Sequence, residues 1–233
     1  MGLYDRDYAR GNASAYSTNH ARSDAQIVSF VKETYKLFAA SMMAGAVGAY
    51  VGVPMAGTIA ANFFPLLILE IGLLIGLHFV KHKPGINLAV MFGFVFMTGL
   101  MLAPLLSHTL GMSGGGTIVG NAFAMTSLVF GAMSFYAIKT TKDFSGYGKP
   151  LMIALVVIIA FSIINIFLGN PLMAIAISGA VVLLFSILVV YDTQNIIKGA
   201  YETPIDGAIA LYLDFLNIFT SLLHLFGIFG NEE

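Results

Sequence analysis

Three acids interrupt stretches that are otherwise apolar: Glu70, Asp192 and Asp214. On insertion scales an acid at the centre of a spanning helix costs about 2.5–3.5 kcal/mol, so each calls for a partner or a polar surrounding. Asp214 lies eight residues past Asp206, about 12 Å along a helix, and Asp192 lies six residues before Lys198, about 9 Å. The two segments run in opposite directions, so both carboxyls reach nearly the same depth. Two carboxyls in contact share one proton over some pH range, because adjacent anions repel in a low dielectric. Asp192 and Asp214 are therefore a candidate proton-sharing pair.

Asp214 also opens a polar stripe. Asp214, Asn217, Ser221 and His224 follow one another at spacings of 3, 4 and 3, which is one face of a helix, with Thr220 beside it. A stripe about 15 Å long cannot face lipid. It serves either interhelical hydrogen bonds or a conduit lined by Asn217, Ser221 and His224. The acid pair at one end and the titratable histidine at the other favour the conduit. Glu70 and Lys81 are eleven residues apart, three turns, and share a face. Glu70 is expected near mid-membrane and facing the bundle. Lys81 can snorkel to the interface or lean towards the Asp pair, and His78 lies one turn deeper. Plain anchoring at the interface is the alternative for Lys81 and for His82.

The elements that must hold these residues are membrane spans. The 233 residues are 58% apolar and 10% charged, whereas soluble domains are about a quarter charged. Such hydrophobicity excludes disorder, and a net charge of -1 excludes a basic nucleic-acid module. The absence of cysteine removes disulfides, thiolate metal sites and thiol nucleophiles. Seven stretches are long enough to span roughly 30 Å of hydrocarbon: 33–53, 62–80, 86–108, 117–138, 150–169, 171–191 and 207–229. They do not alternate as barrel strands do. The fold class is all-α, a polytopic membrane protein in which helix 7, with its polar stripe, is central and wrapped by helices 1–6. Residues 1–30 form a polar N-terminal tail and 31–230 the membrane domain. Gly48 with Gly52, and Gly72 with Gly76, have the small-xxx-small spacing of close helix contacts, which we expect to be made within one chain.

All 11 Lys and Arg lie in the N-terminal tail and helix entry or in loops 2–3, 4–5 and 6–7. The positive-inside rule places the N-terminus in the cytoplasm and, after seven spans, the C-terminus outside. The first residues carry no apolar run of a cleavable signal peptide, so helix 1 is the expected targeting signal.

Tyr191-Asp192-Thr193-Gln194, followed by Ala210-Leu211-Tyr212-Leu213-Asp214-Phe215-Leu216-Asn217-Ile218-Phe219, resembles the closing signature of the Bax inhibitor family, bacterial members included. The likeness extends to Ala103-Pro104-Leu105-Leu106 and to a seven-span chain of this size, covering residues 30–230. The resemblance implies a pH-sensitive calcium leak in a bacterial-type inner membrane, with a central seventh helix and a di-aspartyl gate. Asp192 and Asp214 match that gate and would be the carboxylates that meet calcium, and Glu70 matches an acid in the pore path. An arginine that family members often carry near the cytoplasmic end of helix 2 is missing here, and Lys81 stands nearest to it. Lysine lacks the bidentate fork of arginine, which implies a weaker latch. The expected partners are the bilayer, calcium ions and protons, with no cofactor beyond the ion itself and no nucleic acid.

Bacterial relatives are also linked to regulation of a membrane quality-control protease, which leaves an interaction protein working through its N-terminal tail as the second reading. Animal relatives are linked to suppression of cell death, for which no partner motif is legible. An enzyme is not expected. Intramembrane aspartyl proteases carry Gly-x-Gly-Asp where this chain has Leu211-Tyr212-Leu213-Asp214. A retinal protein is disfavoured, since helix 7 holds no lysine for a Schiff base.

Overall fold

The computed structural model describes residues 23–229, so the tail expected over residues 1–30 lies mostly outside the described residues. Seven helices are long and apolar enough to cross a membrane: α1 (Asp24–Gly52), α2 (Phe63–Val80), α3 (Ile86–Leu110), α4 (Gly115–Lys139), α5 (Gly148–Leu168), α6 (Pro171–Ile197) and α7 (Pro204–Phe229). This is an all-α multi-pass membrane protein. The first helix begins earlier than hydropathy alone suggests. The Ser23 hydroxyl accepts from the Gln26 N–H, and the Gln26 amide oxygen accepts from the Ser23 N–H at 2.8 Å. That reciprocal cap fixes the start nine residues before the apolar run, so Lys32 and Lys36 ride on helix. At its other end α1 continues through a tight turn, Val53–Met55, into a short helical stretch, Ala56–Ala61.

The other helix starts follow local chemistry. Asn170 caps α6 by accepting from the Met173 N–H, and Pro171 takes the first helical position, where no N–H is needed. Before α7, Asp206 accepts from both the N–H and the hydroxyl of Thr203, and the Thr203 hydroxyl oxygen accepts in return from the Asp206 N–H. This box sets the register that carries Asp214 two turns into the bundle.

Helix α7 is the centre. Of its best membrane window 56% is buried, against 6% for α2 and for α5. It packs against α1, α3, α4 and α6, while α2 leans mainly on α3, and α5 on α6. Phe130, Phe185, Leu211, Phe215, Ile218 and Leu223 form the heart of the larger core cluster. In a smaller one, Leu77 of α2 meets Met91 and Phe94 of α3 and Ile205, Ile209 and Tyr212 of α7.

The α1–α3 seam is the closest approach. A Cβ on Gly48 would overlap the Phe96 carbonyl oxygen, one on Gly99 would overlap the Gly45 carbonyl, and one on Gly52 would lie 2.6 Å from the Ala103 Cβ. These residues are glycine because the backbones touch. Gly72 and Gly76 are different. Nothing lies within 4 Å of a Cβ at either position, so the expected close contact within the chain is not made there. The physical reason is the peripheral place of α2, whose inward face carries Leu73 and Leu77 instead.

Candidate functional site

The last turns of α6 are buried all round, from Asp192 through Ile196. A helix end reaches that state only if its polar groups are satisfied, and Gln194 does much of this. Its amide oxygen accepts from the Phe144 N–H at 2.7 Å, and its amide nitrogen donates to the Lys142 carbonyl at 2.9 Å and the Ala137 carbonyl at 3.4 Å. The α4–α5 connection is thereby folded over the end of α6. Lys198 fastens the same connection from outside through Asp143, 2.5 Å away, and the Ser145 hydroxyl at 3.1 Å.

Under this cover lie the two acids. Asp192 is 6% exposed and Asp214 3% exposed, and their side chains are within hydrogen-bonding contact of each other. The Tyr201 hydroxyl, from the α6–α7 loop, donates to Asp192 Oδ1 at 2.7 Å. Burial, reinforced by the Asp192 carboxylate, pushes the Tyr201 hydroxyl far up from its ordinary value, so it remains a donor at every physiological pH. Asp214 Oδ2 is fully buried and has no hydrogen-bond partner among the described residues. A carboxylate oxygen with no donor beside a second carboxyl is the arrangement that one shared proton completes.

The remaining expected residues are distributed as follows. Along α7, the Asn217 amide donates back to the Leu213 carbonyl at 2.7 Å, Ser221 is buried, and His224 Nδ1 lies 2.9 Å from the Ser178 hydroxyl of α6. Glu70 is half-buried on α2, on the face that continues to Leu73 and Leu77. Lys81 does not reach the Asp pair. Its ammonium is 2.7 Å from Glu202 in the α6–α7 loop, where His82 also lies 3.3 Å from the same carboxylate. His78 is exposed and packs edge-on against Phe79. Lysine 81 therefore ties α2 to the loop covering the pair rather than to the pair itself. Lys81, chiefly by its hydrogen bond, holds the Glu202 carboxyl below its usual range, and Lys198 does the same for Asp143.

Sequence reasoning missed Tyr201, Gln194, Ser178 and the Tyr212–Thr98 pair. The Tyr212 hydroxyl is hydrogen-bonded with Thr98 and donates to the Val95 carbonyl at 3.1 Å, which fastens α7 to α3 two residues before Asp214. Tyr201 lies nine residues after Asp192 in a loop, beyond any helical spacing rule. Gln194 stands in the quoted motif but signals a cap only once the α4–α5 connection is known to pass over it.

Among the described residues no three His, Asp or Glu side chains converge as a metal cage. Two carboxyls and a phenol fall short of the six to eight oxygens that calcium takes in a resident site.

A family model described as inhibitor of apoptosis-promoting Bax1 matches residues 27–231. A Helicobacter pylori protein is 44% identical over 233 residues, all of both chains, and a Campylobacter jejuni protein is 46% identical over 236 residues, again all of both. The Escherichia coli modulator of FtsH protease YccA is 32% identical over 200 residues, covering 84% of this chain and 89% of that one. With the family model spanning six of the seven helices entirely and all but the first turn of α1, this chain belongs to the Bax inhibitor family.

Proposed function

We propose that the protein is a proton-gated calcium leak in which Asp192 and Asp214 form the gate at the positively charged, cytoplasmic end of the bundle. The observation that carries this reading is the pair itself: two buried carboxyls in contact, one of them with an oxygen no donor reaches. With one proton shared, a charge-assisted hydrogen bond ties α6 to α7. Loss of that proton leaves two like charges a few ångströms apart, which repel by about 4 kcal/mol at an effective dielectric of about 20. A two-state gate needs about 5.5 kcal/mol to pass from 1:99 to 99:1, so repulsion of this size moves most of the population. Protonating both acids also weakens closure, since the bond becomes a neutral one. Calcium meets the opened pair in passing, because hard divalent ions favour carboxylate oxygens. The neighbouring carboxyls Glu202 and Asp143 supply no response near neutrality, since both are held below the ordinary carboxylate range and are fully ionised there.

Glu70, Asn217, Ser221 and His224 line the route in this reading, the membrane is a bacterial inner membrane, and the charge distribution sets the N-terminus in the cytoplasm and the C-terminus outside. The function is that of a channel, with no catalytic step assigned to the acids. The test is release of calcium from liposomes that hold the purified protein alone, followed at several pH values. Protein-dependent release supports the leak, and vesicles as tight as protein-free ones overturn it.

A second reading has its own support in the relative whose name makes it a modulator of a membrane protease. Such regulation would run through residues 1–22. Their deletion leaves a leak intact and removes a tail-mediated regulator.

A further inference from the structure

A lateral cleft of about 480 Å³ runs between α1, α3, α4 and α7, away from the acid pair. Its walls are apolar: Met42, Ala46 and Tyr50 of α1, Leu106 of α3, Phe123 of α4 and Phe215 of α7. Gly45 and Gly99 line its inner end, where the backbones of α1 and α3 meet. The polar group at its floor is the Tyr212 hydroxyl, already engaged by Thr98 and the Val95 carbonyl. Nothing in the cleft solicits a polar or charged ligand.

Its length is informative. Along α1 the lining runs from Met42 to Val53, and along α3 from Gly99 to Leu110. Each covers eleven residue-to-residue steps, about 16 Å at 1.5 Å per step. Half of a hydrocarbon core of about 30 Å is about 15 Å, the depth of one leaflet. One end of the cleft lies mid-bundle and the other at the ends of α1 and α3. At that end Tyr50 is 82% exposed, as suits an aromatic side chain at the interface. A slender apolar chain lying along the cleft from its outer end would therefore span one leaflet.

We propose that this cleft binds one acyl chain of a phospholipid from the leaflet opposite the acid pair, with the carboxyl end beside Tyr50 and the methyl end beside Gly45 and Gly99. The site stands independently of the calcium reading.

The test uses the full chain in vesicles of phosphatidylethanolamine and phosphatidylglycerol doped with a phospholipid bearing a diazirine on one acyl chain. After irradiation, adducts are mapped by mass spectrometry. A diazirine at the chain end should mark Met42 and Leu102, and one near the carboxyl should mark Tyr50 and Leu110. Labelling should exceed several-fold that of the exposed Ile68 and Ile71 on α2. Ala46→Phe, which fills the cleft from its exposed rim, should reduce these adducts several-fold, and the smaller Ala46→Leu less so. Val47→Phe, one residue along and outside the cleft, should leave them unchanged. Adducts spread evenly over α1 and α2, adducts that persist in Ala46→Phe, or cross-links between two copies through Met43 with no lipid adducts would each overturn the proposal.

Discussion

Helices α7 and α2 each carry an acid in a membrane-length apolar run, and each lies near a glycine pair at helical spacing, yet the bundle uses them differently. Asp214 is 3% exposed, touches a second carboxyl and sits on the most buried helix. Glu70 is half-buried on an outer helix. The glycines beside α7, Gly45 and Gly48 on α1, are pressed against α3 and Tyr212, while Gly72 and Gly76 on α2 meet nothing. An acid in an apolar sequence is a cost wherever it falls. In the proposed reading it becomes a switch only where a second acid and tight packing convert a proton into a force between helices.

The largest effect expected from breaking this comparison is on stability. Gly48→Leu drives a side chain into the Phe96 carbonyl and should cost about 3 kcal/mol or more, with loss of monodisperse protein. Gly72→Leu meets open space and should stay within about 0.5 kcal/mol of the parent. Thermal unfolding of both in detergent decides the point. Equal losses would mean that α2 also packs through its glycines in the membrane.

A second effect falls on the cover of the acid pair. Tyr201→Phe removes the donor to Asp192 Oδ1. That bond favours the ionised carboxylate, so opening, which needs the shared proton to leave, should require a higher pH. A hydrogen bond to a charged group is worth about 1.5–3 kcal/mol, and partial exposure of the loop brings the shift to about one pH unit. The midpoint of calcium release against pH measures it, and a downward shift would contradict the role given to Tyr201.

On α2, Glu70→Gln should reduce the amplitude of calcium release while leaving its pH midpoint where it was, because Glu70 is not one of the two acids that share the proton. Undiminished flux would make Glu70 a structural residue. Smallest of all is the tie between α2 and the α6–α7 loop. Glu202 is held below its usual value by Lys81, so this pair is intact at neutral pH and is lost only as pH falls through the lowered value. The Glu202 side chain is 64% exposed although that of Lys81 is only 11% exposed, so the pair is partly screened, and Lys81→Ala should lower the unfolding temperature by about 2 °C at pH 7. It should not change the pH midpoint of release.

Spacing and composition were enough to read the seven helices, the central place of α7 and the depth match between Asp192 and Asp214, because each follows from hydropathy or from the rise of a helix. The start of α1 was legible in Ser23 and Gln26, but the charges at Lys32, Glu33 and Lys36 masked it, since hydropathy reads them as the end of a span. The partners of the pair were not legible. Tyr201 acts from a loop whose path depends on the Lys198 and Glu202 contacts, and Lys81 could choose between two acids until the fold put Glu202 within reach. The glycine pairs show the same limit. Identical spacing on α1 and α2 gives close contact only where a neighbour is present.

The central claim is that one proton shared by Asp192 and Asp214 sets the gate, and a pH series of calcium release tests it most directly. The series compares the parent with Asp192→Asn, Asp214→Asn and the double variant in the same liposomes. Each single substitution removes the shared titration, so each should flatten the pH response, and the double variant should match the singles instead of summing them. A pH dependence that persists unchanged in both singles would contradict the di-aspartyl gate and move the sensor to His78 or His224.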